Sequence, residues 1–312
     1  MSAVYAIPMT TRFRGITVRE GMLVEGAAGW GEFCPFTEYD DVEARPWLAA
    51  AVEAAEQGWP EPVRSRVPVN CIVPAVGPAQ AHDLVRRSGC STAKVKVADA
   101  PGSLDDDLER VRAVRDALGP AGFVRVDANA RWEIDEAVAA IVVLDRAAGG
   151  LQYVEQPCVS IDELAAVRRR VDVPIAADES IRRAEDPLRV AVAGAADIAI
   201  LKCAPLGGVR RALAVAQACG LPCVVSSALQ TSVGLAAEIA LAGALPQLDM
   251  ACGLGTGALL TADVVESPLV PVDGWLQVPR RAPEPVRRAA VAASAERAQW
   301  WEARRARVAA LS

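Results

Sequence analysis

From residue 68 onward the sequence alternates short β-branched runs with longer helical patterns, and this alternation limits the fold more than any other feature. Strands are expected over 69–73, 93–97, 123–128, 151–155, 175–177, 198–201, 223–225 and, more weakly, 248–250. Helices are expected between them over 79–88, 104–118, 134–147, 162–170, 187–193, 209–219 and 232–245. Ser160 and Glu163 make a capping-box signature ahead of the fourth helix, and Gly220-Leu221-Pro222 stops the sixth. Parallel strands need crossovers long enough to hold a helix, so eight strands with seven helices suit a closed α/β barrel, a modified TIM barrel of the (β/α)7β kind. An open doubly wound sheet is the alternative, but no GxGxxG follows an early strand.

The flanks read differently. Residues 1–67 show strand-like 13–19 and 22–25, a glycine turn and a helical 47–56, an α+β pattern without a repeat. Residues 268–312 hold an edge strand at 275–278 and an Ala/Arg helix over 286–310. Both flanks are assigned to one α+β capping domain over the mouth of a barrel domain at 68–267.

Composition removes several function classes. Formal charge is −6, and the cations of 280–307, eight Arg against three Glu, read as the solvated face of the last helix. A body with an anionic excess is a poor surface for nucleic acid. The charge-free run 212–237 is long enough to span a bilayer, but Gly220, Pro222, Ser226, Ser227 and Gln230 interrupt it, so it reads as core. No basic segment followed by an apolar core marks the N-terminus for export, and a cytoplasmic enzyme or scaffold is expected. The eight Cys are scattered, with Cys219 and Cys223 as the only close pair, and the single His82 excludes HExxH and three-His metal sites. No GxSxG elbow accompanies that histidine.

Of the 33 cationic residues only three are Lys: Lys94, Lys96 and Lys202. Arg replaces Lys in most surface roles but cannot give up a proton at usable pH. Lys96, Asp127, Glu155, Asp178 and Lys202 stand at or just past the ends of strands two to six, at intervals of 31, 28, 23 and 24 residues, one βα unit each time. In a parallel barrel all the strand ends meet on one face, so these five charges share one pocket. Strand alternation points Lys94, Lys96, Arg125, Asp127 and Asn129 to the axis, and Val95, Val97, Val124 and Val126 to the helices. Three convergent carboxylates with no histidine call for a hard divalent cation, Mg²⁺ foremost with Mn²⁺ able to replace it, held by Asp127, Glu155 and Asp178 with Asn129 and Glu179 in support. A structural network of acid–lysine pairs is the competing account. Lysines beside such a metal suit removal of a proton α to a carboxylate, through an enediolate. The base must be neutral, and a neighbouring Lys together with a divalent cation should shift the pKa of Lys96 downward. The expected partner is a small-molecule carboxylate, with neither nucleic acid nor a membrane; the oligomeric state is open, and a monomer suffices.

At these residues the sequence resembles the enolase superfamily, in its Lys-x-Lys subgroup. The resemblance is carried by Lys94-Val95-Lys96, Arg125-Val126-Asp127-Ala128-Asn129, Tyr153-Val154-Glu155-Gln156-Pro157, Ala177-Asp178-Glu179-Ser180 and Leu201-Lys202. The Arg14-Gly15 opening, Gly29-Trp30-Gly31-Glu32 and Phe36-Thr37-Glu38-Tyr39 are most similar to the actinobacterial o-succinylbenzoate synthases. That resemblance implies a menaquinone-pathway lyase that dehydrates 2-succinyl-6-hydroxy-2,4-cyclohexadiene-1-carboxylate. It implies Asp127, Glu155 and Asp178 as Mg²⁺ ligands, Lys96 as the base and then the acid, Lys202 as the opposing cation, and Lys94 and Arg125 in support. It also implies a lid over 9–15 and substrate contacts from Ser226, Ser227, Gly253 and Gly255, where a plain backbone turn is the alternative. N-succinylamino acid racemization, or another racemase or cycloisomerase reaction, would use the same opposed lysines. A dipeptide epimerase is disfavoured because 248–252 holds a single Asp. From other classes, a Schiff-base lysine aldolase and a non-catalytic barrel account less well for the three carboxylates.

Overall fold

A computed structural model describes residues 3–182 and 188–311, the side chains of Arg182 and Val192 excepted. The chain opens with β1 (Ala3–Phe13), β2 (Ile16–Gly26) and β3 (Gly29–Phe33), an antiparallel sheet in that order, followed by α1 (Asp41–Glu56). The expected strand at 13–19 is corrected. Its β-forming residues run straight through the Arg14-Gly15 turn, where positive φ at both positions reverses the chain. Asp40 caps α1 by accepting from Glu43 N, and α1 lies close on β3: a Cβ at Gly31 would stand 1.9 Å from Ala51 O, so only glycine fits.

After β4 (Arg66–Pro68) comes the alternation. Strands β5 (Cys71–Val73), β6 (Thr92–Lys96), β7 (Phe123–Asp127), β8 (Leu151–Glu155), β9 (Ile175–Ala177), β10 (Ile198–Leu201) and β11 (Cys223–Val225) form one parallel sheet in sequence order. Between them lie α2 (Pro78–Ser88), α3 (Leu104–Leu118), α4 (Ile134–Ala148), α5 (Ile161–Arg168), α6 (Glu179–Arg182), α7 (Arg189–Val192), α8 (Cys203–Leu206) and α9 (Val209–Cys219), with α10 (Ser232–Ala244) after β11. The capping box at Ser160 and Glu163 forms, with both reciprocal bonds. The expected start of the fifth helix at Pro187 lies outside the described residues.

The eighth strand is also corrected. No strand forms at 248–250; instead Cys252 bridges to Val69 and Gly253 to Ser226, both in parallel, so the sheet curls until its two edges meet on this two-residue stretch. Val95, Val97, Val124 and Val126 pack outward with Val85, Val111 and Ile141 of the helices in the largest apolar core. The inner face is different: a small cluster of Tyr153, Ala176, Ile198, Ile200 and Val224 shares the interior with Arg125, wholly buried and bonded to Gln152, Asn70, Tyr153 and Ala251 O.

The chain ends with β12 (Trp275–Gln277), paired antiparallel with β4, and α11 (Ala295–Ala309), which packs on α1 and β1. Trp301 of α11 meets Phe33 edge to face at 5.8 Å. The core of this terminal layer includes Ala228 and Leu229, which follow β11, so it is continuous with the barrel mouth. Two buried charged residues tie the layers together. Glu32 of β3 accepts from Thr231 N and Gly234 N at the start of α10, at 3.1 and 2.8 Å, and Arg19 of β2 donates to Leu229 O and Ala228 O at 3.0 and 3.1 Å. No helix of the described residues is long and apolar enough to cross a membrane.

Candidate active site

Parallel register assembles the site. Lys94 pairs with Arg125, Lys96 with Asp127, and Asp127 with Glu155 on three neighbouring strands, while Asp178 and Lys202 follow the ends of the next two. Lys94 Nζ donates to Asp127 Oδ2 at 3.1 Å and to Glu155 Oε1 at 2.8 Å. Lys96 Nζ reaches Asp127 Oδ2 at 2.5 Å and Asn129 Oδ1 at 2.7 Å. Lys202 Nζ reaches Asp178 Oδ2 at 2.5 Å. Asp127, Glu155, Asp178, Lys94 and Lys202 are buried, and Lys96 is partly so. All five predicted charges therefore gather at the strand-end mouth, with Lys94 beneath them. Asn129 Nδ2 lies 3.5 Å from Glu179 Oε1, which brings both supporting residues to the same rim.

The turns behind these side chains are strained in a useful way. Asn129 has a φ of 47° and Gln156 of 40°, left-handed values rare outside glycine. Asn129 in return donates its backbone N–H to Asp127 Oδ1 at 3.0 Å and its side-chain oxygen holds Lys96. Gln156 Oε1 accepts from Asp178 N and Ser180 N at 2.9 and 3.2 Å, fixing the residue three strands from Lys96. Each strained residue thus orients a site residue through a side chain that glycine lacks.

The charges are not equivalent. Burial disfavours the ammonium of Lys94, but Glu155 and Asp127 outweigh that and hold it firmly protonated. Burial pushes the Lys96 amine down, and the Lys94 charge adds to the effect against the opposing pull of Asp127. The direction is the one neighbouring lysines require, with desolvation as the larger cause. Despite burial, Lys96 and Lys94 keep Asp127 well below the usual carboxylate range. Burial first and the Asp127 charge second push Glu155 up to about 7.

Among the described residues no three His, Cys, Asp or Glu side chains stand close enough together to enclose a metal ion, because lysines lie between the carboxylates. The residues nonetheless fit a hard divalent cation. Glu155 Oε2 is buried with no hydrogen-bond partner, which ion pairing alone leaves unexplained. The donors are all carboxylate oxygens, the ligand type that a hard divalent cation takes.

These groups open on a pocket lined by Lys94, Lys96, Asp127, Asn129, Asp178 and Lys202. Ser226 and Ser227 line it too, but Gly253 and Gly255 do not: Gly253 O accepts from Ser227 Oγ at 3.1 Å, and Gly255 packs against the backbone of Asn70. Arg125 lies beneath the mouth as a wholly buried brace. Phe13 and Arg14, from the 9–15 segment that the resemblance sets over the substrate, line the pocket as well; sequence reasoning missed Phe36, which tertiary packing alone brings there. It also missed Glu238 on α10, buried, accepting from Cys203 N at 2.6 Å and Gln230 Nε2 at 2.7 Å directly behind Lys202, and pushed by burial up to about 7. The available signal was plain: Glu238 is the only charged residue between Arg211 and Asp249.

Residues 78–283 match the family model described as enolase C-terminal domain-like, and residues 4–55 the one described as enolase N-terminal domain-like. The chain belongs to the enolase superfamily. Within that superfamily it sorts with actinobacterial enzymes. An o-succinylbenzoate synthase of Thermobifida fusca is 65% identical over 276 residues, covering 88% of this chain and 86% of that protein. One of the same name from Mycobacterium tuberculosis is 56% identical over 299 residues, covering 96% and 90%. The chain is an enzyme of this lyase group of the superfamily. Among solved structures, the L-Ala-D/L-Glu epimerase of Bacillus subtilis has a TM-score of 0.77 at 24% identity, covering 91% of this chain and 96% of that one. Muconate lactonizing enzyme of Pseudomonas putida gives 0.75 at 23%, covering 94% and 98%. At these identities the two structures share the fold, a superfamily barrel with its terminal layer.

Proposed function

We propose that this enzyme is an o-succinylbenzoate synthase, dehydrating 2-succinyl-6-hydroxy-2,4-cyclohexadiene-1-carboxylate as a cytoplasmic step of menaquinone biosynthesis. The observation that carries the reading is the placement of Lys96 and Lys202 on strands separated by the Asp127, Glu155 and Asp178 strand ends, in a chain 65% identical to a protein of that name.

Lys96 Nζ, whose proton affinity is lowered by burial, takes the proton α to the substrate carboxylate. The resulting ammonium then gives that proton to the departing hydroxyl on the same face; the C–O bond breaks, water leaves, and the ring becomes aromatic. Lys202, across the pocket, remains a cation and stabilises the negative charge that builds on the ring and carboxylate. Lys94 keeps its proton and disfavours a second cation beside it, which favours the neutral amine on Lys96. Asp127, Glu155 and Asp178 would hold Mg²⁺, or Mn²⁺, which when bound supplies positive charge to the substrate carboxylate. Asn129 and Glu179 would orient that rim.

The same opposed amines would serve an N-succinylamino acid racemase, one removing a proton and the other returning it. The test is dehydration and N-succinylamino acid racemization measured on one preparation. Dehydration with the higher kcat/KM is expected, and a preparation that racemizes but does not dehydrate overturns the assignment.

A further inference from the structure

Arg14 stands at the tip of the β1–β2 hairpin and lines the pocket, yet the reaction outlined above gives it no task. Its side chain is held in place. The guanidinium lies 4.0 Å from the centroid of the Phe36 ring, Nη2 donates to Tyr39 Oη at 2.9 Å, and the backbone takes a left-handed φ of 52°. Glu38 is 3.9 Å from Nη2, beyond hydrogen-bond reach. Nη1 is buried and has no hydrogen-bond partner. A buried guanidinium donor left unmade costs free energy that an incoming acceptor recovers.

The other cations around the pocket are already engaged. Lys94, Lys96 and Lys202 are held by carboxylates, and Arg19 by the carbonyls of Cys34, Ala228 and Leu229. Phe13, next to Arg14 in the chain, has its ring centroid 5.2 Å from Lys96 Nζ, so the hairpin tip closes on the space in front of the proposed base. The geometry points to Arg14 as the residue that binds the second carboxylate of a dicarboxylate substrate, at the far end of the succinyl chain, and thereby selects a succinyl over a neutral acyl group. This inference rests on the o-succinylbenzoate reading. That product carries two carboxylates, one on the ring and one ending a four-carbon chain. The ring carboxylate belongs at the acid–lysine cluster, where the reacting carbon must meet Lys96, and the other needs a partner of its own. A guanidinium fork suits it, because its parallel N–H groups match the two carboxylate oxygens.

The test compares binding of o-succinylbenzoate with that of 2-butanoylbenzoate, which keeps the ring carboxylate and the chain but lacks the terminal carboxylate. Titration calorimetry on the full-length protein with Mg²⁺ present serves both ligands. The wild type should prefer o-succinylbenzoate by about 30-fold, the scale of one charge-assisted pair. Arg14→Met should remove that preference while leaving affinity for 2-butanoylbenzoate within about twofold, and Arg14→Lys should retain part of it. Equal loss for both ligands would assign Arg14 to packing on Phe36 and Tyr39 and overturn the inference, as would a preference that survives in Arg14→Met. Dehydration by the wild type, assayed alongside, separates the two claims. A protein that dehydrates normally while Arg14→Met keeps the preference sinks only the role of Arg14. One that neither dehydrates nor binds o-succinylbenzoate sinks the functional reading and this inference with it.

Discussion

At the end of the barrel away from the pocket, where helices hand over to strands, the left-handed positions are glycines: Gly89, Gly119, Gly149, Gly194 and Gly220. At the pocket end, where strands hand over to helices, Ala98, Asn129, Ala130, Gln156 and Leu229 take the same conformation with side chains attached. Glycine occurs there too, at Gly102, Gly207 and Gly208, but not in the residues directly after β6, β7 and β8. Glycine is the cheap solution to a left-handed turn, so the costlier one needs a reason. Asn129 and Gln156 supply it, since their side chains fix Lys96 and Asp178. One end of the barrel is built for easy chain reversal, and the other accepts strain to hold charged groups in place.

The sharpest challenge to this contrast is chemical. Lys96→Arg keeps a cation beside Asp127 but cannot shed its proton, so turnover should fall by at least ~10²-fold with circular dichroism unchanged. Near wild-type turnover would mean that the pocket-end lysines are structural partners of the acids, and that the strain there serves packing alone.

Metal linkage comes next. Without a cation, the folded protein keeps a proton on Glu155 up to about 7, whereas the unfolded chain loses it in the ordinary carboxylate range, about 4.3. Unfolding therefore releases a proton between those values, and the contribution of Glu155 to stability falls as pH rises through that window. A cation takes the place of the proton, so the rise in Tm on adding Mg²⁺ should be larger at pH 8 than at pH 5.5. Glu155→Gln should weaken Mg²⁺ binding and flatten that pH dependence, both readable by scanning fluorimetry. An unchanged metal response would remove Glu155 from the ligand set.

Much of this pocket was legible because charge at the end of a β-branched run, repeated every βα unit, encodes both a strand end and the face it points to. Lys96, Asp127, Glu155, Asp178 and Lys202 needed only the closure of the sheet to meet. What the sequence hides is set by tertiary contact. The last barrel position moved from 248–250 to Cys252 and Gly253 because single bridges to Val69 and Ser226, not a ladder with its own pattern, place it. The 13–19 segment has strand propensity on both sides of a turn that only the Arg14-Gly15 backbone declares. Phe36 reaches the pocket from a layer whose pairing and packing the barrel periodicity cannot report.

Glu238 tests how far support for the mouth extends. Glu238→Ala would leave Cys203 N and Gln230 Nε2 buried without an acceptor, at a cost of about 1–3 kcal/mol to stability. Because Cys203 follows Lys202, kcat should fall more than KM rises, and Glu238→Gln should recover part of both by restoring one acceptor. A stability loss with kcat intact would confine Glu238 to packing of α10.

The smallest effects decide the comparison itself, because they isolate backbone strain from chemistry. Gly220 has a φ of 64° and open space where a Cβ would stand, so Gly220→Ala adds conformational strain without a clash. It should lower stability by about 1 kcal/mol in denaturant titration. Ala130, with a φ of 61°, stands between Asn129 and Arg131 but does not line the pocket. Ala130→Gly relieves its strain and at the same time loosens the unfolded chain, and the difference should leave the protein about 0.5–1 kcal/mol more stable, with turnover unchanged. Opposite signs at the two ends would show that the pocket end carries removable strain. If Ala130→Gly instead destabilises, its turn is held by its contacts, such as the 2.7 Å bond from Ala130 N to Gln156 O, and the contrast between the two ends would narrow to Asn129 and Gln156, the residues whose side chains hold Lys96 and Asp178.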